Sequence, residues 1–369
     1  MTLEEHLALP PDSGERIKIG VDSTIDPSAV IGVGVDVGDG VKIGNKFVIG
    51  DCAVIKNNVT IGDHVTIGSS VAIGNNVTIG DHVTIGSSVA ISNDAALCAG
   101  TVVGSYVSIG NITRIGILAL VGDSVSIGNN VVLGDRVIIG DSVAIGHNTT
   151  IGHNAVLEDL VVIGDSVVIG YRVRLSKHVV VRVLSSLDTL CSLDEHSRLG
   201  EGVVLGPRVN IGKFVTIEDG VLIQKYTSID DHVVVGARTQ IYGGSLLGLS
   251  AIIGKDSQIG ESAIIREHVC LGNDVVIGKD VCLVRGVVVA SQTTFQRTPP
   301  QIQCHPYLVY PSSSSTISVG CVRRDVDYWA MGTPIELLSH PECRPWEQYQ
   351  RAIDLVIAWL QEEYPQSKE

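Results

Sequence analysis

The sequence is poor in aromatic residues: 15 of its 369 positions are Phe, Trp or Tyr, against 41 glycines. Globular cores draw much of their buried area from aromatic side chains. An interior here has to be built from Ile, Val, Leu and Ala, which argues against a conventional globular enzyme. Long apolar runs are also missing. Mean hydropathy is +0.31, yet no stretch approaches the roughly 18 uninterrupted apolar residues of a spanning helix, so membrane insertion is not expected. Positive charge is scarce, with 26 Lys and Arg against 40 Asp and Glu and a formal net charge of −14. That balance opposes nucleic acid and anionic membranes as partners. The eight cysteines show no paired spacing such as CxxC and read as free thiols of a reducing cytoplasm rather than a disulfide or zinc framework. Residues 1–19 carry Glu4, Glu5, Asp12 and Glu15 and lack a basic start followed by an apolar run. No signal peptide is expected, and the location inferred is cytoplasmic.

What the sequence has instead is a repeat. Stepping by six from Ile19 to Val289, all 46 positions are Ile, Val or Leu, and the following residue is glycine in 30 of them. A period of six is not helical. It holds a short strand plus a bend, and the glycine falls where the bend needs a permissive backbone or a close approach. Residues 57–74 recur as residues 75–92 with only the last residue changed. A stretch that can be copied whole reads as rod, so little function is expected there. Glycines spaced by six give neither GxGxxG nor a P-loop, so no phosphate cradle is expected.

Hexads such as IGDHVT, IGSSVA and IGNNVT resemble the hexapeptide-repeat family. The resemblance implies an all-β fold, a left-handed parallel β-helix of about 15 coils, with three hexads to the coil and so a step of 18, ending here in a C-terminal α-helix. The general crossover rule alone favours the opposite hand. Stacked at about 4.8 Å per coil, the coils would form a prism about 70 Å long. The organisation expected is an N-terminal cap at 1–18, the β-helix at 19–289, an excursion loop at 290–316, a final coil with a closing segment at 317–340, and a capping helix at 341–369. Nine of the 15 aromatics lie beyond Val289, outside the repeat.

Two histidines stand out in AIGHNTTIGHNAVLED: His147 and His153 each lie two residues after the aliphatic and precede Asn. Hexapeptide-repeat acyltransferases look similar at this point, and the resemblance implies that His147 is the general base, with His153 second. Such a base removes the proton of an attacking hydroxyl or amine, with Glu158 or Asp159 as a carboxylate to orient it. The segment from Gly320 to Leu338 resembles the family's closing segment, with Arg324, Gly332, Thr333 and Pro334 at the matching positions. There the resemblance implies a channel for acetyl-CoA or another acyl-thioester. Two departures stand out: Asp327 replaces the family's proline and the residue after it, and Ile335-Glu336 replaces Ala-Lys, losing a cation that would suit coenzyme A phosphates. Arg297, His305 and Tyr307, in the excursion, are candidates to contact a small-molecule acceptor. The family further implies a homotrimer.

Two rival readings remain. An unbroken hexad phase with a duplicated coil fits a non-catalytic scaffold or rod. A column of histidines at His178, His196, His232 and His268 admits a γ-type carbonic anhydrase-like metalloprotein, but the histidine spacing of that group is not found, and no metal is expected. The alternating column Lys177, Glu195, Lys213 and Asp231 reads as an ion ladder on a solvated face, worth about 0 to 1 kcal/mol per pair.

Overall fold

The computed structural model describes residues 4–5, 8, 17–304, 307–320, 322–331 and 346–365, in two units, Met1–Gly202 and Val203–Glu369. In the first unit every hexad contributes a two-residue strand, such as Thr60–Ile61 or Thr66–Ile67. Each strand pairs in parallel with its counterpart in the next coil, so that Ile61, Ile79 and Leu97 stand in register. Three sheets result. We call them the first face (Ile55, Ile73, Ile91), the second (Ile61, Ile79, Leu97) and the third (Ile67, Ile85, Val103). The hexad aliphatic points inward and its neighbour outward: Ile61 is 2% exposed whereas Thr60 is exposed. Each buried Ile or Leu contributes about 1.5–3 kcal/mol as an upper figure.

Each bend works through three side-chain positions. The glycine after the aliphatic is there for close approach: a Cβ on Gly62 would stand 2.8 Å from the backbone nitrogen of Asp81 in the next coil. The next residue reaches back with a side-chain acceptor, as Asp81 does in taking the Asp63 N–H at 2.9 Å. The one after that adopts the left-handed region, with φ of +57° at His64 and +60° at Asn58. The permissive backbone therefore lies two positions beyond the glycine, where Asn, Asp, Ser and His are common. The fourth position is buried, by Val65 or by a hydroxyl such as Thr149, which donates to the Gly164 carbonyl at 3.1 Å.

The second unit continues the same pattern from Val204–Leu205 to Thr294–Phe295. The repeat thus runs one hexad past Val289, with fully buried Phe295 in the aliphatic position opposite Ile277. The excursion loop expected at 290–316 instead carries strand at Thr294–Phe295, Ile302–Cys304, Tyr307–Pro311 and from Thr316 onward. Ile302–Cys304, Tyr307–Pro311, Thr316–Val319 and Val322–Asp325 form an antiparallel sheet in sequence order. Nor does the stretch 317–325 make a final coil: Val319 lies opposite Val309 and Val322, not above a strand of a preceding coil. Gln301, one coil-length before Val319, is used to cap the third face, its side chain accepting the Val284 N–H and donating to the Cys282 carbonyl at 2.7 Å. Thr298 accepts the Cys282 N–H, and Tyr310 and Ser312 accept the Val288 and Ala290 N–H groups. The segment closes strand edges that would otherwise template another chain.

Among the described residues two helices follow, α1 (Val326–Ala330) and α2 (Trp346–Glu363). Tyr349, Ile353, Val356 and Leu360 of α2 pack with Val309, Ile317, Val319 and Trp329 into a separate small core. Trp329 Nε1 donates to the Ile317 carbonyl, and the Tyr349 hydroxyl to that of Cys304, both at 2.9 Å. The helix expected at the C-terminus is present. Most of the expected N-terminal cap, including residues 9–16, lies outside the described residues.

Candidate functional site

His147 and His153 fall on successive bends of one coil and so on different edges of the three-sided coil. The structure does not bring them together. His147 follows the first face, in column with Asn129 and Asp165. Its Nδ1 accepts the Asn129 N–H at 2.8 Å, while its own N–H is taken by Asp165 at 2.6 Å. His153 follows the second face, and its Nδ1 accepts the Asp135 N–H at 2.8 Å. Both rings thus perform the capping that Asp, Asn and Ser perform elsewhere. With Nδ1 accepting, a neutral ring carries its proton on Nε2 and is a donor at its exposed end.

The surroundings separate the two. His153 Nδ1 also lies 3.4 Å from Asp135 Oδ2. Nε2 becomes free as a base only in the other tautomer, in which Nδ1 gives up the Asp135 N–H and donates its proton to this carboxylate. Among the described residues no carboxylate pairs with the His147 ring in this way. The orienting carboxylates expected from the sequence serve elsewhere, because the next bend belongs to the third edge. Glu158 pairs with Arg174 at 2.5 Å, and Asp159 with Lys177 at 2.9 Å. That pairing, with the Asp141 N–H, holds the Asp159 carboxyl below its usual range and raises the Lys177 ammonium.

His153 sits in an open depression of about 450 Å³, lined by Ile117, Leu118, Asp135, Arg136, Asn154 and Tyr171. These residues belong to four successive coils at one edge, at steps of 18 from Ile117 to Tyr171. The Arg172 guanidinium lies 5.0 Å from the centre of the Tyr171 ring. Next to this edge the third face presents Val102, Leu120 and Ile138 outward, each 40–44% exposed. Sequence reading missed Asp135, Arg136 and Tyr171, although stepping by 18 from His153 would have found two of them.

The other expected site residues lie in the second unit. Arg297 is bound to Glu363 at 2.7 Å and Glu362 at 3.2 Å, and its guanidinium stands 5.5 Å from the Trp359 ring. These contacts tie the last coil to α2. Tyr307 is half-buried, with its ring against Tyr349 and directly over Gly320. Arg324 is exposed, 5.7 Å from the Tyr328 ring. His305, Gly332, Thr333 and Pro334 lie outside the described residues. In the histidine column, His178 and His196 stack at 4.5 Å. Among the described residues no group of three or more His, Cys, Asp or Glu is placed to hold a metal ion.

Parallel two-residue strands on three faces, aliphatic ladders inside and a bend repeated at every hexad define a left-handed parallel β-helix of about 15 coils with a small C-terminal helix. A family model described as Bacterial transferase hexapeptide (six repeats) matches residues 118–153, and one described as GMPPB C-terminal domain matches residues 187–302. The first of these models describes the hexapeptide repeat that this chain carries throughout its coils. No curated protein matches it. Similar solved structures include UDP-N-acetylglucosamine O-acyltransferase from Moraxella catarrhalis, at 16% identity over 61% of this chain and 68% of that chain, with a TM-score of 0.18. The Campylobacter jejuni UDP-N-acetylglucosamine acyltransferase is 16% identical over 79% of this chain and 82% of its own, TM-score 0.21. The Arabidopsis enzyme of that name is 12% identical over 94% and 97%, TM-score 0.18. Such identities and scores carry no chemistry from those enzymes to this chain.

Proposed function

We propose that the protein is an acyltransferase whose site is the depression around His153. The observation that carries this reading is a coincidence of place. The stretch matching the transferase hexapeptide model ends at His153, and that histidine is the one with a carboxylate beside its ring, in a concave surface. In the reactive tautomer His153 Nδ1 gives up the Asp135 N–H and donates its own proton to the Asp135 carboxylate. His153 Nε2 takes the proton of an acceptor hydroxyl or amine as that group attacks the carbonyl of an acyl-thioester, coenzyme A being the donor class implied by the repeat. The tetrahedral intermediate then expels the thiolate, which recovers the proton from the imidazolium. Arg136 suits an anionic group on either substrate, Tyr171 a flat or sugar ring. The apolar third face beside the depression suits packing against a second copy, as a homotrimer requires.

The test is thiol release from acetyl-CoA in the presence of hydroxyl- and amine-bearing sugars and amino acids. A positioned base typically contributes a factor of about 10²–10⁴. His153→Ala is therefore expected to lose at least about a hundredfold in kcat, Asp135→Asn to lower kcat more than KM, and His147→Ala to retain wild-type turnover. Full activity in His153→Ala would remove that residue from the site.

A second reading, a non-catalytic rod, is favoured by the Nδ1 caps of both histidines, which are those of any structural bend. It predicts no thiol release and no thermal shift with acetyl-CoA at any concentration.

A further inference from the structure

His153 stands in a small array of side chains at one edge of the first unit. Its own column, at steps of 18, runs Asp135, His153, Tyr171, and the column one residue further along each bend runs Arg136, Asn154, Arg172. Coils lie about 4.8 Å apart. Asn154 is therefore level with His153, with an arginine one coil to either side. All three hold the left-handed region, at φ of +56°, +58° and +54°, so their side chains leave three successive bends from the same backbone geometry.

Nothing in the chain uses these three side chains. Arg174, Arg238 and Arg297 each meet a carboxylate, whereas neither Arg136 nor Arg172 forms an ion pair with another described residue. Asp135, next to Arg136 in the chain, is directed to the Ile117 N–H at 2.8 Å and to the His153 ring. Arg172 is nonetheless placed, 5.0 Å from the centre of the Tyr171 ring, and that ring lines the depression together with Arg136 and Asn154. Half-buried Asn154 makes no side-chain hydrogen bond to a described residue, although Asn58, Asn76 and Asn130, at the same place in their bends, each bond along their column. In a chain with a net charge of −14, two unneutralised guanidiniums flanking an unused amide form a row of donors for an anion.

We propose that this row is a phosphate subsite and that the acceptor of the acyl group is a small phosphomonoester of the sugar-phosphate class. The inference rests on the reading of His153 as the base. A phosphomonoester carries a charge of about −1.5 to −2 and three terminal oxygens. Each guanidinium can take it in bidentate fashion, and the Asn154 amide adds a further donor. The two oxygens of a carboxylate serve three such donors less well. Place decides which substrate carries the phosphate. Consecutive Cα atoms are about 3.8 Å apart, so a phosphate at Asn154 lies within the length of a sugar from the His153 ring, where the accepting group must be. Coenzyme A also has phosphates, but its pantetheine arm keeps them far from the thioester carbon that reacts at that ring.

Two measurements on the full-length protein test this. The first is calorimetric titration of the His153→Ala variant, which reads binding without turnover, with glucose 6-phosphate, glucose and glucuronic acid. Saturable binding of glucose 6-phosphate is expected, at least about tenfold tighter than that of the other two and competed by inorganic phosphate. Adding Arg136→Gln or Arg172→Gln is expected to weaken it about tenfold each, and Arg136→Lys, which keeps the charge but not the fork, to weaken it also. The second is thiol release from acetyl-CoA and from acetyl-dephospho-CoA. The ratio of kcat/KM for glucose 6-phosphate over glucose should fall in both glutamine variants and be the same with either donor. Phosphate-dependent binding without thiol release would keep the subsite and end the acyltransferase reading, whereas thiol release with equal preference for the two sugars would do the reverse. Binding of glucose or glucuronic acid as tight as that of glucose 6-phosphate, unchanged affinity in both glutamine variants, no saturable heat, or a loss with the dephospho donor as large as that in the arginine variants would each overturn the proposal.

Discussion

At position 112 an isoleucine holds a φ of +57° with 61% of its surface exposed. A β-branched residue there gains little burial and bears the left-handed conformation at a cost of roughly 1–2 kcal/mol. Its neighbours in the column form a polar ladder: Asn58 donates to Asn76, Asn76 to Asp94, and Asn130 to Asn148, at 3.0–3.3 Å. Ile112→Asn should join the two halves of that ladder and raise the free energy of unfolding by about 1 kcal/mol, measured by urea denaturation. A lowered midpoint would show that Ile112 has a packing role the isolated chain does not reveal. Single residues were unequally legible in the sequence. The hexad marks His147 and His153 as unusual, and the column at steps of 18 sets His153 beside Asp135. That both Nδ1 atoms are occupied by backbone N–H groups depends on how closely one coil lies on the next, which no spacing rule contains.

A two-residue strand has no stability of its own, and each exists because its counterparts in the coils before and after satisfy its backbone. The repeat was therefore legible at the level of elements, since one rule, repeated, places all its strands. The antiparallel sheet at 302–325 was not. Its pairing is local, made by chain reversals such as the one at Gly320, with φ of +58°, and the hexad phase of Val319 is accidental. The α2 helix was legible from its one-sided apolar pattern, and its energetics divide unequally. Ile353 is fully buried in the small core, so Ile353→Ala is expected to cost about 2–5 kcal/mol. Arg297→Ala removes only solvent-screened ion pairs and one ring contact, and is expected to cost much less than Ile353→Ala. Hydrogen exchange over 346–363 should accelerate strongly in the first variant and slightly in the second, and the reverse order would show that the ion pairs hold the helix.

Across the whole molecule the duplicated coil offers a direct check. Deleting residues 57–74 joins Lys56 to Asn75, which has the identity and environment of Asn57, and leaves every downstream aliphatic in phase. That variant should unfold cooperatively with little change in midpoint and keep the activity at His153 unaltered. Deleting only 57–73, and so leaving Gly74 in place, should prevent folding, because a slip of a single position turns each inward side chain of a strand outward. Equal tolerance of both deletions would contradict the register argument.

The sequence by itself determined the coil: its period, its inward aliphatics, its lack of aromatics and the helix at its end. Those properties follow from short-range rules repeated in one phase. The tertiary structure decided how the coil ends, with Thr298, Gln301, Tyr310 and Ser312 covering its last strand edges, and which histidine has a carboxylate beside it. Each depends on residues from different turns or elements meeting in space, and contacts of that kind leave no period in the chain.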